Sequence, residues 1–397
     1  MIPRTWQHRI PGGALALALA LAGCGSSQPA ATSNLPTTIG KGEGAVNLIA
    51  WTGYVESGKT NPKVDWVTPF QTKTGCQVTV KFADTSDEMV TLMRQGGGTV
   101  YDGVSASGDA TNRLIAAGNV AEVNPALVPD FNDTMASLKS PKHNTVNGKH
   151  YGFPYMWGAN LLMYNTQKVT PAPASWDVTF KSDSPYKGKV TAYDSPIFIA
   201  DAAQYLKAHD PSLKITDIYE LSTPQLDAAI NLLKQQKPLI AKYWAATADE
   251  SDPFTSGAMV VGTAWPYTVS LLKADKRPVA AVIPSEGVTG WADTWMMSSH
   301  AKHPNCMYQW MKWTMSPDVQ TQVAEFYGAT PSNAKACTKL TADIGDTATS
   351  DYHCGDDSFL SKIGLWKTPL ADCGDSRGAT CTDYSKWALR WQEVKGG

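Results

Sequence analysis

In the run GVTGWADTWMMS, residues 287–298, one carboxylate, Asp293, stands between two indoles, Trp291 and Trp295, with no other charge nearby. Burying an unpaired carboxylate costs several kcal/mol, roughly, even after relaxation. Asp293 therefore needs donors, access to water, or a cation. The last of these would make it a binding site. A ring face attracts an alkylammonium by about 0.5–2 kcal/mol, most when water is excluded, and the carboxylate adds a charge-assisted hydrogen bond.

Catalytic chemistry has less to stand on. The seven histidines are scattered, and there is no HExxH, no GxSxG and no glycine-rich phosphate loop. Asp249, Glu250 and Asp252 cluster before Pro253, where acids ahead of a turn usually face solvent. The expectation is a binder, not an enzyme, with no cofactor and no metal. A zinc site at the cysteines, helped by His353 beside Cys354, lacks the CxxC pairs such sites use.

The N-terminus points to a compartment. Arg4, His8 and Arg9 precede GGALALALALAG, an apolar stretch of signal-peptide length and too short to span a bilayer comfortably. It closes on Leu21-Ala22-Gly23-Cys24, which resembles the lipobox of bacterial lipoproteins, so Cys24 is expected to be lipidated after removal of residues 1–23. Residues 24–44 are small, polar and rich in Pro and Gly, as a flexible tether should be. The expectation is an exported chain on the extracytoplasmic side of the cell membrane, at the cell surface or in the periplasm, held there by lipid.

The 397-residue chain has room for about two domains, and its net charge of −2 carries no nucleic-acid footprint. Its 14 tryptophans, many in short polar contexts, suit a ligand cleft better than a core alone. Six cysteines follow Cys24, an even number that reads as disulfides in an exported protein. Fifteen pairings are possible. Closeness along the chain favours Cys373–Cys381 and Cys337–Cys354, which leaves Cys76–Cys306 and requires those two segments to share a domain.

The elements that must position Asp293 are legible in outline. Strand-like runs at 45–55, 76–85 and 101–107 alternate with helical runs at 66–75, 87–95 and 110–119, with Ser86 expected as an N-cap. That alternation predicts a parallel α/β sheet. An extended segment covers 151–165, strands follow at 187–195, 258–266 and 277–284, and amphipathic helices fall at 200–209 and 223–236. Two helices separated by Ser316-Pro317 lie within 305–333, and beyond about residue 340 the pattern turns irregular.

Five stretches, in this order, resemble one family: WTGYV (51–55), YDGVSAS (101–107), GFPYMWGANLLMYN (152–165), SWDVTF with YKGKV (175–190), and SPDVQTQVAEFYGATPSN (316–333). The chain resembles the extracellular solute-binding proteins of ABC importers, close to the spermidine/putrescine-binding branch, over roughly residues 45–340. The resemblance implies a two-lobed α/β fold of the type II periplasmic-binding-protein kind with a ligand cleft between the lobes. Lobe one would comprise 45–157 plus 293–337, and lobe two 158–292 plus 338–397 with the Cys-rich tail. It also implies a site. Trp291 would stack on the ligand, Asp293 would pair with an ammonium, and Trp51, Tyr54 and Trp265 would complete an aromatic box. Ser107 would contact the ligand or cap a helix, and Trp157 would pack at the hinge.

The match to the polyamine branch is incomplete. That branch carries two further acids after the KG strand, where this chain reads Tyr193-Asp194-Ser195-Pro196-Ile197-Phe198 and only Asp194 is acidic. A family tyrosine after the third strand is Asp109 here, and another after the late helix is Ala329, with Tyr327 two residues away. Asp109 and Asp194 are thus the remaining candidates for charge at the cleft, Asp109 also reading as a helix N-cap. The expected role is capture of a small cationic solute, a polyamine first among them, by a monomer. It would deliver the solute to an ABC permease with a separate ATPase, neither of which is in this chain. A sugar is the alternative ligand, since indoles stack equally well on pyranose faces. An exported hydrolase is the alternative of another class.

Overall fold

The computed structural model describes residues 35–59 and 61–396. The signal segment, Cys24 and the first ten residues after it lie outside the described residues. Residues 35–44 of the expected tether are held against the fold. The Gly40 amide donates to Asn305 Oδ1 at 2.7 Å, and Glu43 accepts from the backbone amides of Asn305 and Cys306.

Fourteen strands are labelled in chain order. They are β1 Ala45–Ala50, β2 Gln77–Phe82, β3 Gly103–Ala106, β4 Thr145–Val146, β5 Lys149–His150, β6 Phe153–Ala159 and β7 Leu161–Asn165. The rest are β8 Val190–Tyr193, β9 Ile240–Trp244, β10 Val261–Ala264, β11 Val279–Val282, β12 Thr289–Met297, β13 Thr330–Pro331 and β14 Gly364–Leu365. One seven-stranded sheet runs β13-β6-β12-β3-β1-β2, with β14 added to β12. A five-stranded sheet runs β11-β7-β10-β8-β9. The first three long strands pair in parallel, as strand–helix alternation requires, whereas β12 lies antiparallel to both β3 and β6. The result is two α/β lobes.

The chain leaves the first sheet after β6, crosses at Asn160 to β7, and returns between β11 and β12. All of β12 belongs to the first sheet, because its ladder with β6 begins at Gly290. The crossings therefore fall a few residues from 157 and 292. Residues beyond 340 touch both lobes. β14 pairs with β12, and the helix Tyr384–Gly396 packs on the helix Thr223–Gln236. Trp387, Trp391 and Val394 form the buried face of that last helix.

All three disulfides join the expected partners: Cys76–Cys306, Cys337–Cys354 and Cys373–Cys381. Cys76 precedes β2 and Cys306 lies in the helix Pro304–Thr314, so both sit in the first lobe. One cap differs from expectation. Thr85, not Ser86, caps the helix Ser86–Met93, its hydroxyl accepting from the Glu88 amide at 3.1 Å. No helix among the described residues is long and apolar enough to cross a membrane.

Candidate ligand-binding site

The C-terminal ends of strands in open α/β sheets carry the side chains that meet a ligand. Three of the expected residues occupy such ends. Trp51 follows β1, Ser107 follows β3, and Trp265 follows β10. Ser107 and Trp265 are also the N-caps of the helices Gly108–Ala116 and Pro266–Ala274. Trp291 and Asp293 come from within β12, two residues apart and hence on one face of the strand. The ladder between β12 and β6 changes register between Ala292 and Thr294, so Asp293 sits at the irregularity.

These side chains converge. A cavity is lined by Trp51, Ser107, Trp265, Trp291, Asp293, Tyr327 and Trp366. About 10 Å³ of it is open to the centre of a water molecule, room for roughly one water. The lobes are therefore drawn together over this space. Larger hollows exist, one of about 510 Å³ beside Lys73, Lys312 and Trp313, but they gather none of these residues.

Asp293 is 2 % exposed. Its Oδ2 accepts from Tyr54 Oη at 2.7 Å and its Oδ1 from the Ser107 hydroxyl. No lysine or arginine among the described residues pairs with it. Burial pushes the Asp293 carboxyl up to about 7; the two donated hydrogen bonds offset only part of this, and the nearby charge of Asp109 adds to it. Burial, then the Asp293 charge, holds the Tyr54 phenol well above its usual range, so it remains a donor.

Indoles and phenols form the walls. Trp51 meets Trp265 edge-on with centroids 5.6 Å apart, joining the two lobes across the cavity. Trp291 lies edge-on to Tyr327 at 6.0 Å, and Tyr327 leans on Tyr54 at 4.8 Å. Gly158 makes room for Trp291, since a Cβ there would stand 2.6 Å from its ring. Behind Trp265, Trp244 and Tyr193 stand at 4.9 and 5.3 Å. Trp295, on the same face of β12, packs instead against Tyr155 and Trp310 in the core. Trp157 is buried on β6 beside Phe359, with centroids 6.2 Å apart.

Two expected carboxylates are not brought to the cavity wall. Asp109 is fully buried, accepts from the Ser86 hydroxyl at 2.8 Å, and stands 3.9 Å from the Arg113 guanidinium. Burial still raises its carboxyl to about 6 against the pull of Arg113. Asp109 lies inside the first turn of its helix, and Ser107, not Asp109, is the cap. Asp194 is neutralised by Lys395 and accepts from the Trp391 indole at 3.2 Å. Both partners belong to the C-terminal helix, so the acid expected at the cleft instead anchors the tail.

Trp366 had no place in the sequence reading. It follows β14, stacks on Tyr193 at 5.8 Å with an 11° angle between planes, and its amide donates to the Gly290 carbonyl at 2.7 Å. Its own carbonyl packs on Gly108, where a Cβ would come within 1.8 Å. Its one sequence signal was an isolated tryptophan in a polar stretch, GLWKTP.

The arrangement can hold a cation against one carboxylate between aromatic faces. Comparison with known proteins agrees with the fold. A spermidine/putrescine-binding periplasmic protein of Escherichia coli (strain K12) is 23 % identical over 348 residues, 87 % of this chain and 90 % of that protein. A putrescine/agmatine-binding protein of Pseudomonas aeruginosa is 25 % identical over 311 residues, 74 % of this chain and 79 % of that one. The crystal structure of the Tp0655 (TpPotD) lipoprotein of Treponema pallidum superposes with a TM-score of 0.67 at 15 % identity, covering 88 % of this chain and 99 % of that one. The profile described as bacterial extracellular solute-binding protein matches residues 65–348, most of the chain, and the protein belongs to that family.

Proposed function

We propose that the protein is the solute-binding component of an ABC importer and that it captures a small amine-bearing cation, with polyamines of the putrescine type the first class to test. Asp293 carries the reading. It is a buried carboxylate with two hydroxyl donors, no lysine or arginine paired with it among the described residues, and indoles on either hand. Entry of an ammonium would restore its charge, add a charge-assisted hydrogen bond and gain the attraction of the ring faces. Closure of the lobes would exclude water and strengthen both. The relatives named for spermidine, putrescine and agmatine support the same ligand class.

The reading extends to location and partners. The Leu21-Ala22-Gly23-Cys24 string supports a lipid anchor on the extracytoplasmic side. A monomer closed over its ligand would present one surface from each lobe to a permease driven by a separate ATPase. It acts by binding and not by turnover. The deciding experiment titrates the ligand-stripped protein with putrescine, spermidine, spermine, choline and maltose while following Trp fluorescence. At least one amine gives a saturable response, weakened at least tenfold in Asp293→Asn. A response to maltose alone overturns the reading.

A further inference from the structure

We infer that the cleft recognises a single ammonium group, so that its preferred ligand is an organic monocation with a compact apolar body and not a linear amine gripped at both ends. The inference rests on Asp293 being the cation site proposed above, and it places a monocation ahead of the polyamines named there as the first class to test.

Asp293 is the one carboxylate on the cavity wall among the described residues. The neighbouring acids do not line it. Asp109 serves Ser86 and Arg113, and Asp194 serves Lys395 and Trp391. Glu250 is fully buried on the helix Thr247–Ser256, with neither carboxylate oxygen hydrogen-bonded, and does not line the cavity.

The face across from Asp293 is aromatic. The second sheet supplies Trp265 and the C-terminal tail supplies Trp366. Trp366 is fixed in place by its stacking on Tyr193, by the β14–β12 pairing, and by contact with Gly108. Lys367, the next residue, is tied to Asp217 at 2.7 Å and to Glu220, and the Thr368 hydroxyl donates to the Asp109 carbonyl at 2.8 Å. The tail thus closes the side of the cavity that Trp366 lines. A second ammonium held there would be stripped of water with ring faces and no acid to receive it. Ring attraction alone does not offset that desolvation. Methyl and methylene groups, in contrast, match the wall.

The test is calorimetric titration of the mature chain at pH 8 with tetramethylammonium, choline, n-butylamine, putrescine and spermidine. At least one of the three monocations is expected to bind as tightly as putrescine or tighter, and Asp293→Asn to abolish it. Trp366→Ala is expected to weaken the best monocation at least fivefold and to narrow its advantage over spermidine, while Trp366→Phe retains most of the affinity. If putrescine or spermidine binds more tightly than every monocation, single-head recognition is overturned while the cation site stands. If the folded protein binds none of the five, the cation reading itself fails.

Discussion

Tyr54 and Asp293, 239 residues apart in the chain, meet in a 2.7 Å hydrogen bond from the phenol to the carboxylate. Tyr54 was expected as a wall of the aromatic box. It does not line the cavity; it is fully buried against Asp293, and its hydroxyl, with that of Ser107, keeps the carboxylate satisfied while the space beside it is closed. A hydrogen bond to a charged group contributes about 1.5–3 kcal/mol. In Tyr54→Phe the ionised form of Asp293 loses that support and its carboxyl rises further above 7. Cation affinity at pH 7 should fall about tenfold, consistent with that range, and the midpoint of its pH dependence should move up by about one unit. Titrations from pH 5 to 9 check this. An unchanged midpoint would show that the phenol does not set the ionisation of Asp293.

A carboxyl near pH 7 couples ligand capture to proton release. Below 7 the site is mostly neutral, and a cation must displace the proton to gain its counter-charge. At pH 5.5, close to one proton should leave per cation bound, and at pH 9 almost none. Affinity should fall by about tenfold per unit on descending below 7. Calorimetry in buffers of different ionisation enthalpy measures the proton count directly. Uptake of a proton, or no exchange at pH 5.5, contradicts the assignment.

Much of this site could be read from the chain because its residues sit where local pattern is strong. Trp51, Ser107 and Trp265 each end a run that alternates or is evenly apolar, and strand ends are recognisable from the glycine or proline that follows. Asp293 stood out because a lone acid among indoles violates the pattern of a buried strand. What stayed hidden was set by partners far along the chain. Nothing near Asp194 announces Lys395, and nothing near Asp109 announces that Ser86 and Arg113 hold it. Trp366 reaches the cavity only because β14 adds to β12. The helix Tyr384–Gly396 was readable in principle, since Trp387 and Trp391 fall one turn apart, but the disulfide-rich stretch before it obscured the period.

The three disulfides close loops of very different length, separated by 230, 17 and 8 residues. On the chain-entropy account, the restriction each places on the unfolded chain rises from about 2.5 kcal/mol for the shortest to about 5.5 kcal/mol for the longest. Replacing Cys76 and Cys306 together by Ser should therefore lower the unfolding free energy most, and replacing Cys373 and Cys381 least. Urea midpoints of the three double variants rank them. A larger loss for the Cys373/Cys381 pair would mean that the tail is held by that bridge more than by β14 and the last helix.

Asp201 offers a separate pH lever at the chain crossings. It lies on the helix Ile199–His209 and accepts from the Thr289 hydroxyl at 3.0 Å, while Asn160 Nδ2 donates to that hydroxyl at 2.7 Å. Asn160 is the first crossing and Thr289 opens β12, so this short chain of bonds ties both passages to the second lobe. Burial raises the Asp201 carboxyl to about 7, the Thr289 bond opposing it. Unfolded, the group titrates near 3.8. Between those values the folded form holds a proton that the unfolded form has lost, so the stability this group contributes is complete below about 4 and is lost as pH rises through 7. Asp201→Asn removes the charge that must otherwise be buried. It should stabilise the protein by up to about 4 kcal/mol at pH 8 and hardly at all at pH 4. Urea unfolding at the two pH values decides it. A gain of equal size at both would trace the effect to packing at the crossing and not to ionisation.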